Sequence, residues 1–209
     1  MTETARAAAG GRPRQLTDEQ RRSQIIDAAE KVFIDEGFHG ATMDKVALIA
    51  GMSKKTLYKV FSTKTALFDA LLDERLRVLT LPVEESDESP AEALEKLLVS
   101  IAAVTLAPRQ IQLFGLLIAE TRQAKARTQA IQRLGLGEGG GTLEKWFALQ
   151  KARGVLAIED PNEAANMIYG LAFHDFQTFM LLKMRRQPRR AEVRARIRHA
   201  VQIFLKGLA

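Results

Sequence analysis

Apolar residues recur three and four positions apart along most of this chain, and alternating β-branched runs bounded by turn residues are missing. That pattern predicts helices throughout. One clear stripe is Ile25, Ala28, Ala29, Val32 and Phe33, which share a single helical face. Helices are predicted over 18–36, 43–50, 54–60, 64–80, 90–106, 109–126, 142–153, 162–183 and 189–207. Their starts are marked chemically. Ser89-Pro90-Ala91-Glu92 combines an N-cap, an N1 proline and a capping-box glutamate, and Asp160-Pro161-Asn162-Glu163 repeats the arrangement. Thr17 to Gln20 is a capping box without proline. None of the six prolines interrupts an apolar-periodic stretch, where each would cost about 3 kcal/mol.

The punctuation divides the chain into a flexible basic arm over 1–16, a head of short helices over 17–62, and a longer helical unit over 63–209. The predicted fold class is therefore all-α: a three-helix N-terminal head followed by a helical bundle. The acidic segment 81–89 reads as a hinge between the two units. Residues 135–141 hold five of the fourteen glycines and read as a loop.

Within the head, Thr42 is placed to cap a helix over Met43–Ala50, Gly51 to allow a sharp turn, and Ser53 to cap a helix over Lys54–Val60. Two such short helices joined by a tight turn form a helix-turn-helix, with Ala47 at the crossing and Leu57 facing inward. Charge then assigns a task. Between Lys45 and Phe68 lie five lysines and no acidic residue. Alone, such a cluster reads as readily as a solvated face. At the start of a second helix-turn-helix helix it lies where DNA is entered.

Composition narrows the field further. The 209 residues are 46% hydrophobic, enough for a core. The net charge of +6 favours a polyanionic partner. There is no cysteine, which removes disulfides and thiolate zinc sites and fits a cytoplasmic setting. No apolar run is long enough to span a bilayer, and the N-terminus lacks a signal-type apolar region, so no membrane association is expected. The histidines, His39, His174 and His199, have no metal-binding spacing, and no nucleotide loop or nucleophile elbow is present. An enzyme, a cofactor and a metal are not expected.

The stretch from Ile25 to Leu71 resembles the TetR family of transcriptional regulators. The resemblance rests on Phe33 to Gly37-Phe38, on Ala41-Thr42-Met43, on Val46 to Ser53 (VALIAGMS), and on Leu57-Tyr58, Phe61, Lys64 and Leu67. It implies that Thr42, Tyr58 and Lys64 touch the phosphate backbone, and that Ser53, Lys54, Lys55 and Thr56 approach bases or adjacent phosphates. Members often carry a phosphate-touching histidine where this chain has Val60; Lys59 is the candidate replacement. Ahead of the head, Gly10-Gly11-Arg12-Pro13-Arg14 resembles an AT-hook core. Arg12 and Arg14 are either minor-groove contacts or part of a disordered tail.

The C-terminal part, from about Gln112 to Met184, is similar to AefR-like members at Ala119-Glu120-Thr121 and at Lys151 to Leu156 (KARGVL). Family membership implies a homodimer through the last two long helices, double-stranded DNA as partner, and a small-molecule effector in the bundle. Phe114, Leu117, Trp146, Met167, Phe173, His174, Phe176 and Met180 are candidate effector contacts by residue type. Plain core or dimer seam is the alternative for each. The arginine-rich segment 183–198 reads as a solvated helical face, with a second DNA contact as the alternative. The resulting expectation is a ligand-released repressor of a pseudo-palindromic operator, its fourth helix linking bundle to head. A DNA-binding protein without a ligand is the rival.

Overall fold

The computed structural model describes residues 16–76, 88–120 and 141–207. Among the described residues the elements are α1 (Asp18–Gly40), α2 (Met43–Ile49), α3 (Lys54–Val60), α4 (Lys64–Leu76), α5 (Pro90–Thr105), α6 (Pro108–Glu120), α7 (Thr142–Ala152), α8 (Pro161–Leu181) and α9 (Arg190–Gly207). None of these helices is by itself long and apolar enough to cross a membrane. Arg12, Arg14, most of the acidic hinge and nearly all of the glycine run lie outside the described residues, as do 77–80 and 121–126 of the predicted helices.

The caps form as their local chemistry requires. Thr17 and Gln20, and Ser89 and Glu92, make reciprocal capping boxes. The Asp160 carboxylate accepts from the backbone amides of Asn162 and Glu163 at 2.8 and 3.3 Å. The helix assigned as α1 runs four residues beyond its predicted end, but it breaks at Gly37, whose φ of 70° belongs to the left-handed region. The short segment after that break returns the chain toward α2.

The head is built on Ile25, Ile26, Ala28, Ala29, Val32 and Phe33 of α1, all buried. Phe33 and Phe38 stack at a centroid distance of 5.8 Å, and Phe68 meets both edge-on at 5.1 and 5.0 Å. The head does not close at residue 62. Its core takes in Leu67, Phe68, Leu71 and Leu72 of α4 and Leu113 and Leu117 of α6. Helices α1 to α3 leave one side of this core to be covered, and α4 and α6 cover it.

The second core joins α5, α7, α8 and α9 around Leu94, Leu98, Phe147, Ile168, Phe173 and Val201. Leu106, in the corner between α5 and α6, belongs to this bundle core. Thus α6 begins at the bundle and ends in the head.

Candidate nucleic-acid interface

The helix-turn-helix is set by backbone geometry. Gly51 has φ 63°, the Met52 amide donates to the Ala47 carbonyl at 2.9 Å, and the Gln24 side chain donates to the Ala50 carbonyl at 2.9 Å. Ala47 is buried at the crossing, and Leu57 is fully buried beneath α3. The outer face of α3 is left for a partner.

The hydroxyls named from the sequence are first of all caps. Thr42 Oγ1 accepts from the Lys45 amide at 3.3 Å. Ser53 Oγ accepts from the Thr56 amide at 3.1 Å and lies 2.9 Å from Thr56 Oγ1. Both hydroxyls sit at helix N-termini, where backbone N–H groups already favour an anion. Tyr58 is half exposed on α3.

The five lysines divide into three groups. Lys45 pairs with Glu36, and Lys54 pairs with Asp44 at 2.6 Å; all of these are surface pairs of small net value. Lys64 is already engaged within the head. Its ammonium donates to the carbonyls of Phe38, Ala41 and His39 at 2.6, 2.9 and 3.4 Å and lies over the Phe38 ring. Its ammonium ties the backbone after Gly37 to the start of α4. Lys55 and Lys59 have no ion-pair partner among the described residues.

Lys55 and Lys59 line a groove of about 690 Å³ with Ser53, Thr56, Arg21 and Arg22, between α3 and the start of α1. The sequence reading missed the two arginines. Arg21 is held by Asp18 and the Leu16 carbonyl, and Arg22 lies 4.9 Å over the Phe61 ring. The signal was the doublet Arg21-Arg22 one turn after the Thr17 cap. The groove is open, with two lysines on the α3 side and two arginines beside two carboxylates on the α1 side, and its cations and hydroxyls can meet a phosphodiester chain. Asp18 and Glu19 sit at its rim.

One consequence concerns Lys64. Lys64→Met removes the donor to three carbonyls and is expected to destabilise the fold by about 1–3 kcal/mol. Denaturant melts measure this. The salt dependence of DNA binding should remain that of the unaltered chain if Lys64 carries no phosphate.

The candidate effector residues do not converge. Phe114 is half-buried and packs against the head core, of which Leu117 is a buried member. Trp146, Phe173 and Phe176 belong to the bundle core. Met167 is 55% exposed, His174 is also exposed, and Met180 is half-buried. Helical spacing identified apolar faces but not which neighbour each face meets. The arginine-rich segment forms the turn after α8 and the start of α9. Arg185 pairs with Glu192 at 2.9 Å, and Arg196 with Asp175 at 2.8 Å. Gly154, inside the KARGVL stretch, has φ 66° and lies in the turn that follows α7.

Residues 25–71 match the model for bacterial regulatory proteins of the tetR family, and residues 92–207 match the C-terminal domain of AefR-like transcriptional repressors. The HTH-type transcriptional activator FasR of Mycolicibacterium smegmatis is 36% identical over 97 residues, which are 46% of this chain and 44% of that protein. The chain thus matches less than half the length of the curated relatives first found. A putative TetR-family regulator from Mesorhizobium loti superposes with a TM-score of 0.73 at 22% identity, covering 92% of this chain and 98% of its own. The flavonoid-responsive regulator FrrA superposes with a TM-score of 0.71 at 27% identity, covering 90% and 97%. These regulators are not enzymes. Matched by family models at both its head and its bundle, the chain belongs to the TetR family of bacterial transcriptional regulators, with an AefR-like C-terminal domain.

Proposed function

We propose that the chain is a ligand-responsive repressor that binds a pseudo-palindromic operator as a homodimer and is released by a small, largely apolar molecule. The observation that carries the reading is α3 itself. Its inner side is anchored by Leu57, while Lys55, Lys59 and Tyr58 face outward beside Arg21 and Arg22. In this reading α3 enters the major groove, and Thr42, Ser53, Lys54, Lys55, Thr56, Tyr58 and Lys59 are its contact residues. Lysines 45 and 54 exchange their carboxylate partners for phosphate on binding.

The second copy is assigned to the outer face of α8 and α9. Met167, Leu171 and Phe179 on α8, Leu182 just after it and Ile203 on α9 are exposed apolar residues, and Met167, Leu171 and Ile203 line one groove of about 430 Å³. His174 lies one turn from Leu171 on the same helix. Met167 and His174 are thereby reassigned from effector contact to dimer seam. An isologous pairing of this face buries the stripe and sets two α3 helices about 34–36 Å apart, one turn of duplex.

A small-molecule effector is supported by the likeness to FrrA, a flavonoid-responsive regulator at 27% identity. A thermal-shift screen of neutral and cationic apolar compounds, followed by gel-shift assay, tests the reading. Compounds that raise Tm are expected to release the duplex. A compound that raises Tm by several degrees and leaves DNA affinity unchanged contradicts it.

A further inference from the structure

One carboxylate joins all three elements at the base of the head. Glu30 sits on the buried face of α1, with its side chain only 7% exposed. It accepts from Arg75 Nε of α4 at 3.1 Å and from both Nε and a terminal nitrogen of Arg109 at the start of α6. Arg75 also pairs with Asp27 and Glu74. Burial alone would raise the Glu30 carboxyl. The hydrogen bonds and charge of Arg109, with the charge and hydrogen bond of Arg75, outweigh it and hold the carboxyl below its ordinary value.

The two arginines are not equivalent. Arg75 is 21% exposed and held on three sides, whereas Arg109 is 58% exposed and reaches Glu30 from α6 alone. Arg109 also stands at a particular point of its helix. Leu106 just before it belongs to the bundle core, and Leu113 and Leu117 after it belong to the head core. A shift of the α5–α6 corner therefore acts on Arg109 before it acts on the apolar contacts. Planar guanidinium-to-carboxylate pairing is directional, so a small displacement breaks both bonds together.

We propose that Glu30 is a positioning residue for operator binding: through Arg75 and Arg109 it fixes the angle at which the head stands on the bundle, and Arg109 is the contact that an effector-shifted α6 withdraws. The inference rests on the reading of the head as the DNA-binding part. With the latch closed, α1, α4 and α6 move as one body and the two heads of a dimer keep one separation. With Arg109 withdrawn, Glu30 keeps Arg75 and the head core keeps Leu113 and Leu117, so the head stays folded while its angle on the bundle is less tightly held.

The chain has no cysteine, so Asp35→Cys, on the exposed side of α1, places a single spin label on each head. Distances between labels in the full-length dimer are expected to be narrowly distributed in this background. They should broaden by several ångströms when Arg109→Met is added, with Arg109→Lys between the two. Because Arg109 is mostly exposed, its replacement leaves core packing in place, and a thermal melt checks this. Selection from a random duplex library supplies the second readout. One base pair is about 3.4 Å of duplex, so the unaltered chain should enrich one half-site spacing and Arg109→Met the same half-sites spread over neighbouring spacings. A change in fold stability alone would not move the spacing. Superimposable distance distributions with unchanged spacing overturn the latch. If the unaltered chain enriches no inverted repeat, the DNA reading falls, and the latch falls with it.

Discussion

Replacing Lys55 and Lys59 together by alanine is expected to weaken operator binding about 30-fold at about 0.15 M salt. The estimate follows from counterion release. Each phosphate contact contributes about 0.9 to the slope of log affinity against log salt, so losing two lowers the slope by about 1.8. Extrapolated from 1 M, where the electrostatic contribution vanishes in that description, this is a factor of about 30. These two lysines are chosen because neither has an ion-pair partner among the described residues. Lys54 and Lys45 already hold Asp44 and Glu36, and removing them forfeits a contact that binding must partly exchange. Fluorescence anisotropy at four or five salt concentrations checks both the magnitude and the slope. Equal loss at every salt concentration would mean that the two side chains act through shape or base contacts and not through charge.

Leu171→Glu combined with Ile203→Glu is expected to leave a folded monomer that binds operator about 10²–10⁴-fold more weakly. Both residues are exposed on the described chain, so their replacement disturbs no buried packing. In the dimer the same positions place carboxylates against apolar surface and against their symmetry mates, which opposes pairing. The loss in DNA affinity is the effective-concentration advantage of two linked heads, which needs no additional contact in either half-site. Sedimentation equilibrium reports the assembly state and a gel shift reports the affinity. A variant that remains dimeric places the seam elsewhere on the bundle.

What the sequence made legible was local. The caps at Thr17, Ser53, Ser89 and Asp160 depend on residues within three or four positions, and the helices begin where those caps predict. The turn at Gly51 was equally readable, because a tight turn between two short amphipathic helices needs a residue that accepts positive φ. Contacts between distant positions were not legible. Lys64 meets carbonyls 23 to 26 positions away, and Glu30 meets arginines 45 and 79 positions away. No periodicity within one helix encodes such partners. The bundle was legible in part. Phe173 and Phe176 are core as apolar spacing suggests, but the same spacing could not separate Met167, which faces outward, from them.

The boundary expected at residue 62 separates helices but not packing. Sequence breaks mark where helices end, whereas a core is defined by what packs together. Leu113 and Leu117 complete the head although they lie far beyond the acidic segment. That placement makes α6 the part shared by both units, and it gives Arg109 its leverage on Glu30.

In the proposed binding mode α3 occupies a major groove of duplex DNA, twice per bound dimer. Methylation interference on a selected operator tests it most directly, because guanine N7 lies in the major groove and adenine N3 in the minor groove. Interference is expected at guanine N7 in two clusters related by the operator's inverted symmetry and centred about one helical turn, or an adjusted multiple, apart. Interference confined to adenine N3, or a single cluster under saturating dimer, would contradict it.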